Sequence, residues 1–324
     1  MVKSESLAKF LLASGTSLVL VVSPAWADEG GVSFWLPGQM GSFAAVGTEP
    51  GWSVPVVYFH DKASANGSKN FIIGGKLTAG VSATADLVFM LPGYTFKDPV
   101  LGGQAALSVG WAVGTYKATA DVAVTDALGN TAFRSRTDKL TGGSDLYPLG
   151  TLKWNDGTSN WMVYGMGDIP VGAYSVGRLA NIGINHAAID GGGGYTYFDP
   201  KTGHEASIVG GLTYNWENSD TRYQNGVDSH IDWAVSQFLN EQLYVGVAGY
   251  GYWQLTGDRG DGAILGANKG RIYGIGPQAG YFFPFGGSKG VMSLRANWDF
   301  GEVHRAAGWN VFVSLVLPLE SASK

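Results

Sequence analysis

Cysteine is absent from these 324 residues, which excludes disulfides, thiolate metal sites and a lipid anchor on an N-terminal cysteine. Charge is scarce at 15%, and the formal net charge of −5, mildly acidic, argues against a nucleic-acid partner. Apolar runs long enough to cross a bilayer as a helix are missing too. The longest, residues 10–22, is short of the ~20 residues a spanning helix needs. It follows Lys3 and Lys9 and precedes Ala25-Trp26-Ala27. That order of basic, apolar and small residues reads as a signal peptide over residues 1–27, cleaved after Ala27.

What the chain has instead is glycine, 50 residues, and aromatics at 13%. It also has a period of two. Between Val291 and Phe300 the even positions Met292, Leu294, Ala296, Trp298 and Phe300 are apolar. The odd positions Ser293, Arg295, Asn297 and Asp299 are polar. The same alternation places Trp309, Val311, Val313, Leu315 and Leu317 opposite Asn310 and Ser314. It places Leu243, Val245, Val247 and Trp253 opposite Tyr244, Tyr250, Tyr252 and Gln254. It recurs in 230–238, where Ile231, Trp233 and Val235 oppose Asp232 and Ser236, and in 205–216, where Glu205, Ser207, Thr213 and Asn215 oppose Ile208, Leu212 and Tyr214. Many such strands behind an export signal, with almost no amphipathic helix between them, predict an all-β fold. The expected architecture is an antiparallel transmembrane β-barrel, apolar toward lipid and polar toward the lumen.

Further strands are expected at 271–284, 187–198, 161–174, 145–154, 104–124, 80–91 and 52–61, about twelve in all. An even count returns the C-terminus to the side where the barrel began. Short connections (155–160, 239–242, 286–289) alternate with long polar ones (125–143, 217–229, 256–270), the pattern of tight periplasmic turns and longer external loops. Trp154, Trp161, Trp216, Trp253, Trp298 and Trp309 stand near strand ends, as interfacial girdles require. Glu205, Asp232, Arg271, Tyr273, Arg295, Asn297 and Asp299 are assigned to the lumen, where a further charge at Asn297 should be tolerated. Tyr244, Tyr250 and Tyr252 share the inner phase and make the lumen amphipathic.

Residues 28–51 do not alternate; two prolines and six glycines forbid a regular strand. Phe34, Trp35, Leu36 and Phe43 are too apolar for periplasmic water, so this segment is expected to plug the lumen. The organisation is then a signal peptide (1–27), a luminal segment (28–51), a barrel (52–318) and a polar tail (319–324). Several strings support it by resemblance: Glu29-Gly30-Gly31, Phe34-Trp35-Leu36-Pro37-Gly38, Ser42-Phe43-Ala44, Pro50-Gly51-Trp52 and Asp145-Leu146-Tyr147-Pro148. Here the chain resembles the outer-membrane family named for the MetA pathway of phenol degradation, over nearly the whole mature length. The resemblance implies a channel in the bacterial outer membrane for small hydrophobic or aromatic solutes. One departure is the end of the chain: Leu317-Pro318-Leu319 leads into a polar tail rather than a terminal aromatic.

Signals for catalysis are poor. The five histidines lack metal spacing, and His204-Glu205 has Ile208 where a zinc-binding helix would carry its second histidine. Gly274-Ile275-Gly276 is followed by Pro277 and by Tyr281, Phe282 and Phe283, which continue a strand instead of opening a phosphate-binding helix. Arg259-Gly260-Asp261 reads as turn chemistry in an external loop. No enzyme, metal or cofactor is expected. The partners expected are outer-membrane lipids, the barrel-assembly machinery and the solute itself. A narrow general pore for ions or polar solutes and a non-transporting surface barrel remain alternatives to hydrophobic uptake.

Overall fold

The protein is described here by a computed structural model covering residues 29, 33–125, 128–129, 131–285 and 288–319. The expected signal peptide and the tail beyond Leu319 lie outside the described residues. Among the described residues fourteen strand segments follow one another: β1 (Gly51–Ile73), β2 (Lys76–Met90), β3 (Gly93–Thr95), β4 (Gln104–Thr125), β5 (Thr131–Gly143), β6 (Tyr147–Asp156) and β7 (Ser159–Asp168). Then come β8 (Ala188–Asp199), β9 (His204–Asn215), β10 (Asp228–Phe238), β11 (Leu243–Gln254), β12 (Arg271–Phe285), β13 (Ser288–Val303) and β14 (Ala307–Pro318). Every neighbour pair is antiparallel, and β14 returns to β1 through Ser53↔Pro318, Val54↔Leu317 and Pro55↔Val316. β3 continues β2 after Pro92, which has no N–H to donate to the ladder. β6 continues β5 after residues 144–146. Counted that way, the sheet is a closed barrel of 12 antiparallel strands.

Closure satisfies the backbone and leaves the side chains to divide between two solvents. On β13, Met292, Leu294, Trp298 and Phe300 are 49–54% exposed, whereas Arg295 is 8% and Asn297 1% exposed. Outward Trp216, Trp298 and Trp309 ring the end that carries the long loops. Trp52 and Trp161 stand at the opposite, short-turn end. Rings of this kind prefer the headgroup zone.

Four expectations need correction. First, 125–143 is not a loop: β5 occupies most of it and pairs along β4 from Val113↔Gly143 to Thr125↔Thr131. Its polar residues gave no lipid-facing signal because this part of the wall lies beyond the bilayer. Thr115 and Thr141, then Thr119 and Thr137, join hydroxyls across the outer face at 2.9 and 2.8 Å. The inner face there is an apolar cluster of Phe71, Ile73, Val81, Ala118, Ala120 and Val122. For the same reason β1 runs on to Ile73, well past residue 61.

Second, the strand expected at 161–174 stops at Asp168. Residues 169–187 turn along the free edge of β5, with Ala173 N–H donating to Gly143 O at 2.9 Å and Leu179 N–H to Asp138 Oδ2 at 2.8 Å. Third, Arg271 and Tyr273 point outward. Trp253 Nε1 donates to the Tyr273 hydroxyl at 3.0 Å, Phe300 stacks on the same ring, and Arg271 lies 5.8 Å from its centre. The polarity rule failed on β12 because three of its inward positions, Gly274, Gly276 and Gly280, are glycines that carry no polarity signal, and the outward polar pair stands near the strand's long-loop end, where polar groups at headgroup level are stable. Fourth, Asn297 is not in open water: its Nδ2 donates to Asn310 Oδ1 at 2.8 Å in a packed interior. A charge there is now expected to impair folding.

Leu294→Arg puts a guanidinium on the lipid face and should cost about 2–4 kcal/mol near the midplane, read by urea unfolding in liposomes. A milder effect than that of Ser293→Ala would mean the register is wrong by one residue. Because the chain has no native cysteine, single thiols give a clean second test. Thr137→Cys should react with a membrane-impermeant maleimide on intact cells, and Leu294→Cys should not.

Candidate functional site

The inner wall is built from short polar side chains and glycines, and the N-terminal segment meets it at every level. At the long-loop end Glu29 accepts from Asn218 Nδ2 (2.9 Å), Thr221 Oγ1 (3.0 Å) and Tyr174 (3.3 Å), while its N–H donates to Asn225 Oδ1. Burial pushes the Glu29 carboxyl above its ordinary pKa, against the pull of those donors. Deeper, Asp232 accepts Gly38 N–H and Met40 N–H, one on each oxygen, at 2.9 Å. Arg295 donates to Gln39 O at 3.0 Å. Glu205 accepts Ser42 Oγ at 2.6 Å, Phe43 N–H at 3.0 Å and Ser236 Oγ at 2.7 Å. Toward the short-turn end Ala45 N–H donates to Thr196, and Lys153 and Gln104 close on the carbonyls of Val46 and Thr48. A segment without strand partners thus has its backbone satisfied by side chains of the wall, which a buried polar backbone requires.

Aromatic packing follows the same course. Phe34 is 7% exposed and stands 6.1 Å from Tyr147. Trp35, fully buried, stacks on His230 with ring centres 3.6 Å apart and 12° between planes. Phe43 adopts φ 67°, uncommon for an aromatic residue, and is held there by the Glu205 and Ser207 acceptors on its N–H. Its ring meets Phe198, Phe238, Tyr244 and Phe282 at 5.3–5.9 Å. Tyr250 donates to Asp299, whose other oxygen takes Gly308 N–H at 2.8 Å. Tyr252 lies under the Arg305 guanidinium at 4.4 Å. Two inward glycines make room for these rings: a Cβ at Gly274 or Gly280 would overlap Tyr250 or Tyr244.

Of the residues picked from the sequence, all but Arg271 and Tyr273 therefore meet in the interior. Two groups were missed. One surrounds Asp190, which accepts Tyr164 Oη at 2.7 Å, Thr213 Oγ1 at 2.5 Å and His230 Nε2 at 3.0 Å, with His230 and Asp190 wholly buried. Each member is unremarkable in its own strand, and their convergence depends on register. The other is a cavity of about 190 Å³ beside Leu36 and Pro37, walled by Phe59, Ala83, Ala85, Leu87 and Ile272. Asp61, Asp299, Arg305 and Asn310 give it a polar side. The small alanines at alternate positions of β2 were the available signal. Among the described residues no group of three metal-ligating side chains is gathered.

The family described as "Putative MetA-pathway of phenol degradation" matches residues 49–315. The chain belongs to that family. No curated protein matches it. Among solved structures, the COG4313 outer membrane channel from Pseudomonas putida F1 is similar at a TM-score of 0.65 and 14% identity, covering 87% of this chain and 98% of that one. At this identity the likeness shows the fold, which is that of an outer-membrane channel. A Pseudomonas aeruginosa FadL homologue (TM-score 0.36, 10% identity, 88% and 95% covered) and Pseudomonas aeruginosa OccK7 (0.30, 9%, 83% and 99%) resemble it too weakly to carry an argument.

The contacts at Trp35 and Asp232 are testable together. Hydrogen bonds to a carboxylate are worth about 1.5–3 kcal/mol each, so Asp232→Ala should release the segment around Gly38 and Met40. In the intact protein the Trp35 emission, taken as the difference from a Trp35→Phe variant, should resist an aqueous quencher. In Asp232→Ala it should become quenchable. Free quenching before the substitution would refute the packed arrangement.

Proposed function

We propose that this family member is a non-enzymatic, passive channel of the outer membrane for small hydrophobic or aromatic solutes, whose N-terminal segment plugs and narrows the lumen. The observation that carries the reading is the cavity of about 190 Å³ with apolar walls between that segment and the inner faces of β1 and β2. An apolar cavity of about 150 Å³ accommodates benzene, so one aromatic ring fits. The lumen supports the same reading, since the carboxylates of Glu205 and Asp232 are taken up by the segment's own donors. Charges engaged in this way form no ring for selecting ions. A solute in this cavity meets Ile182, Pro37 and the Tyr250 ring along its walls, weak apolar contacts that need no energy source.

Deleting residues 30–45 should raise ionic conductance severalfold in planar bilayers and weaken saturable uptake of aromatics into liposomes. If conductance does not change, the segment is not a plug and the general-pore alternative takes precedence.

A further inference from the structure

On the outer wall of β1, β2, β4 and β5 the register gathers charge of one sign. Lys62 stands opposite Thr84, Thr84 opposite Lys117 and Lys117 opposite Lys139, so three lysines share one height across four neighbouring strands. All three are exposed, whereas Ala63, Ala118 and Leu140, beside them in sequence, face the interior. Among the described residues none of the three lysines is in an ion pair. Asp86, one row nearer the membrane, is already bonded to Tyr58 and His60, each at 2.7 Å, and Asp121 stands two rows farther out. Like charges directly opposite destabilise a sheet, and an anion between Lys117 and Lys139 removes that cost. Two neighbours fix the height of the row. His60 packs on the girdle residue Trp309 at 4.8 Å, and below it Tyr58, Val88 and Val113 form a row 36–40% exposed toward lipid. Lys62 is ten residues beyond Trp52 of the opposite girdle. That is about 25 Å along the barrel axis for a strand rising ~3.3 Å per residue at a tilt of ~40°, the height of the apolar band.

We infer that this row is a docking site for a phosphorylated lipid headgroup of the outer leaflet, of the lipid A kind, with one phosphate between Lys117 and Lys139 and a second beside Lys62 and the Thr84 hydroxyl. Neighbouring strands lie about 4.8 Å apart, so the row spans about 14 Å, the reach of a phosphorylated sugar pair rather than of one phosphate ion. Acyl chains against Val88 and Val113 hold such a headgroup at this height, which a free anion has no means to keep. The inference needs only the barrel's placement in the outer membrane with its long loops outside, and it is independent of what the lumen conducts.

The test uses the folded, full-length barrel in non-ionic detergent and three probes: diphosphoryl lipid A, the same lipid with its phosphates removed, and inorganic phosphate, with binding read by native mass spectrometry. Diphosphoryl lipid A should bind at least about tenfold more tightly than the dephosphorylated lipid, since each lysine near an anionic headgroup contributes about fivefold. Millimolar inorganic phosphate should not displace it. The double variant Lys117→Gln with Lys139→Gln should lose the preference. Lys117→Arg with Lys139→Arg should keep it, as should Lys289→Gln at the short-turn end. Equal binding of the two lipids, or a preference that survives the double glutamine variant, overturns the inference. Displacement by inorganic phosphate gives the row to a free anion and overturns it as well. Should the double glutamine variant not give a heat-modifiable barrel, Lys139→Gln alone decides, because it must lower the preference about fivefold. A preference lost in Lys289→Gln instead would put the phosphates at the opposite end and sink both the inference and the assigned orientation. None of these outcomes bears on the channel reading, which stands or falls with conductance and uptake.

Discussion

The hydrogen-bonded seam between β14 and β1 is the constraint on which the rest of the structure depends. A sheet in hydrocarbon cannot leave an edge, because unpaired N–H and C=O groups there have no water to turn to. Once the ring closes, every side chain on a spanning strand has a fixed solvent, lipid or lumen, and the inside cannot be filled by a second layer of structure. The interior must then be satisfied by whatever the inner positions and the N-terminal segment supply.

That explains why the inner wall is so rich in short acceptors and glycine. Asp232 and Glu205 present oxygens to backbone N–H groups of a segment that has no strand neighbour. Gly274 and Gly280 let Tyr250 and Tyr244 lie close along the wall. The same economy leaves a cavity where β2 carries Ala83 and Ala85 inward, and close-packed interiors keep such voids rare. The proposed function uses that void.

Closure is also locally incomplete in an instructive way. β5 pairs only with β4, and residues 169–187, not a strand, run along its other edge. In that region the wall has left the bilayer: its outer face carries threonines and lysines, and its inner face holds the apolar cluster around Phe71 and Val122. The inside-out rule that governs the spanning strands is therefore inverted in the part that meets water on the outside, as in a soluble sheet with a single apolar face.

By itself the sequence determined the barrel, its twelve strands and the facing of β9, β10, β11, β13 and β14, because a period of two is a local property and lipid contact makes it loud. It also marked Phe34, Trp35 and Phe43 as residues that need burial. It could not mark β5, whose polarity looks like a loop unless one knows that the sheet rises out of the membrane there. It misassigned Arg271 and Tyr273, since their outward position is stable only at the headgroup level, a height that no local pattern encodes. Tertiary structure alone decided the Asp190–His230–Tyr164 cluster and the union of Asp61, Phe59, Ala85 and Ile272 around one cavity. Tyr164, Asp190 and His230 lie on β7, β8 and β10, and Phe59, Asp61, Ala85 and Ile272 on β1, β2 and β12, and only the closed ring and its register bring each group to one height.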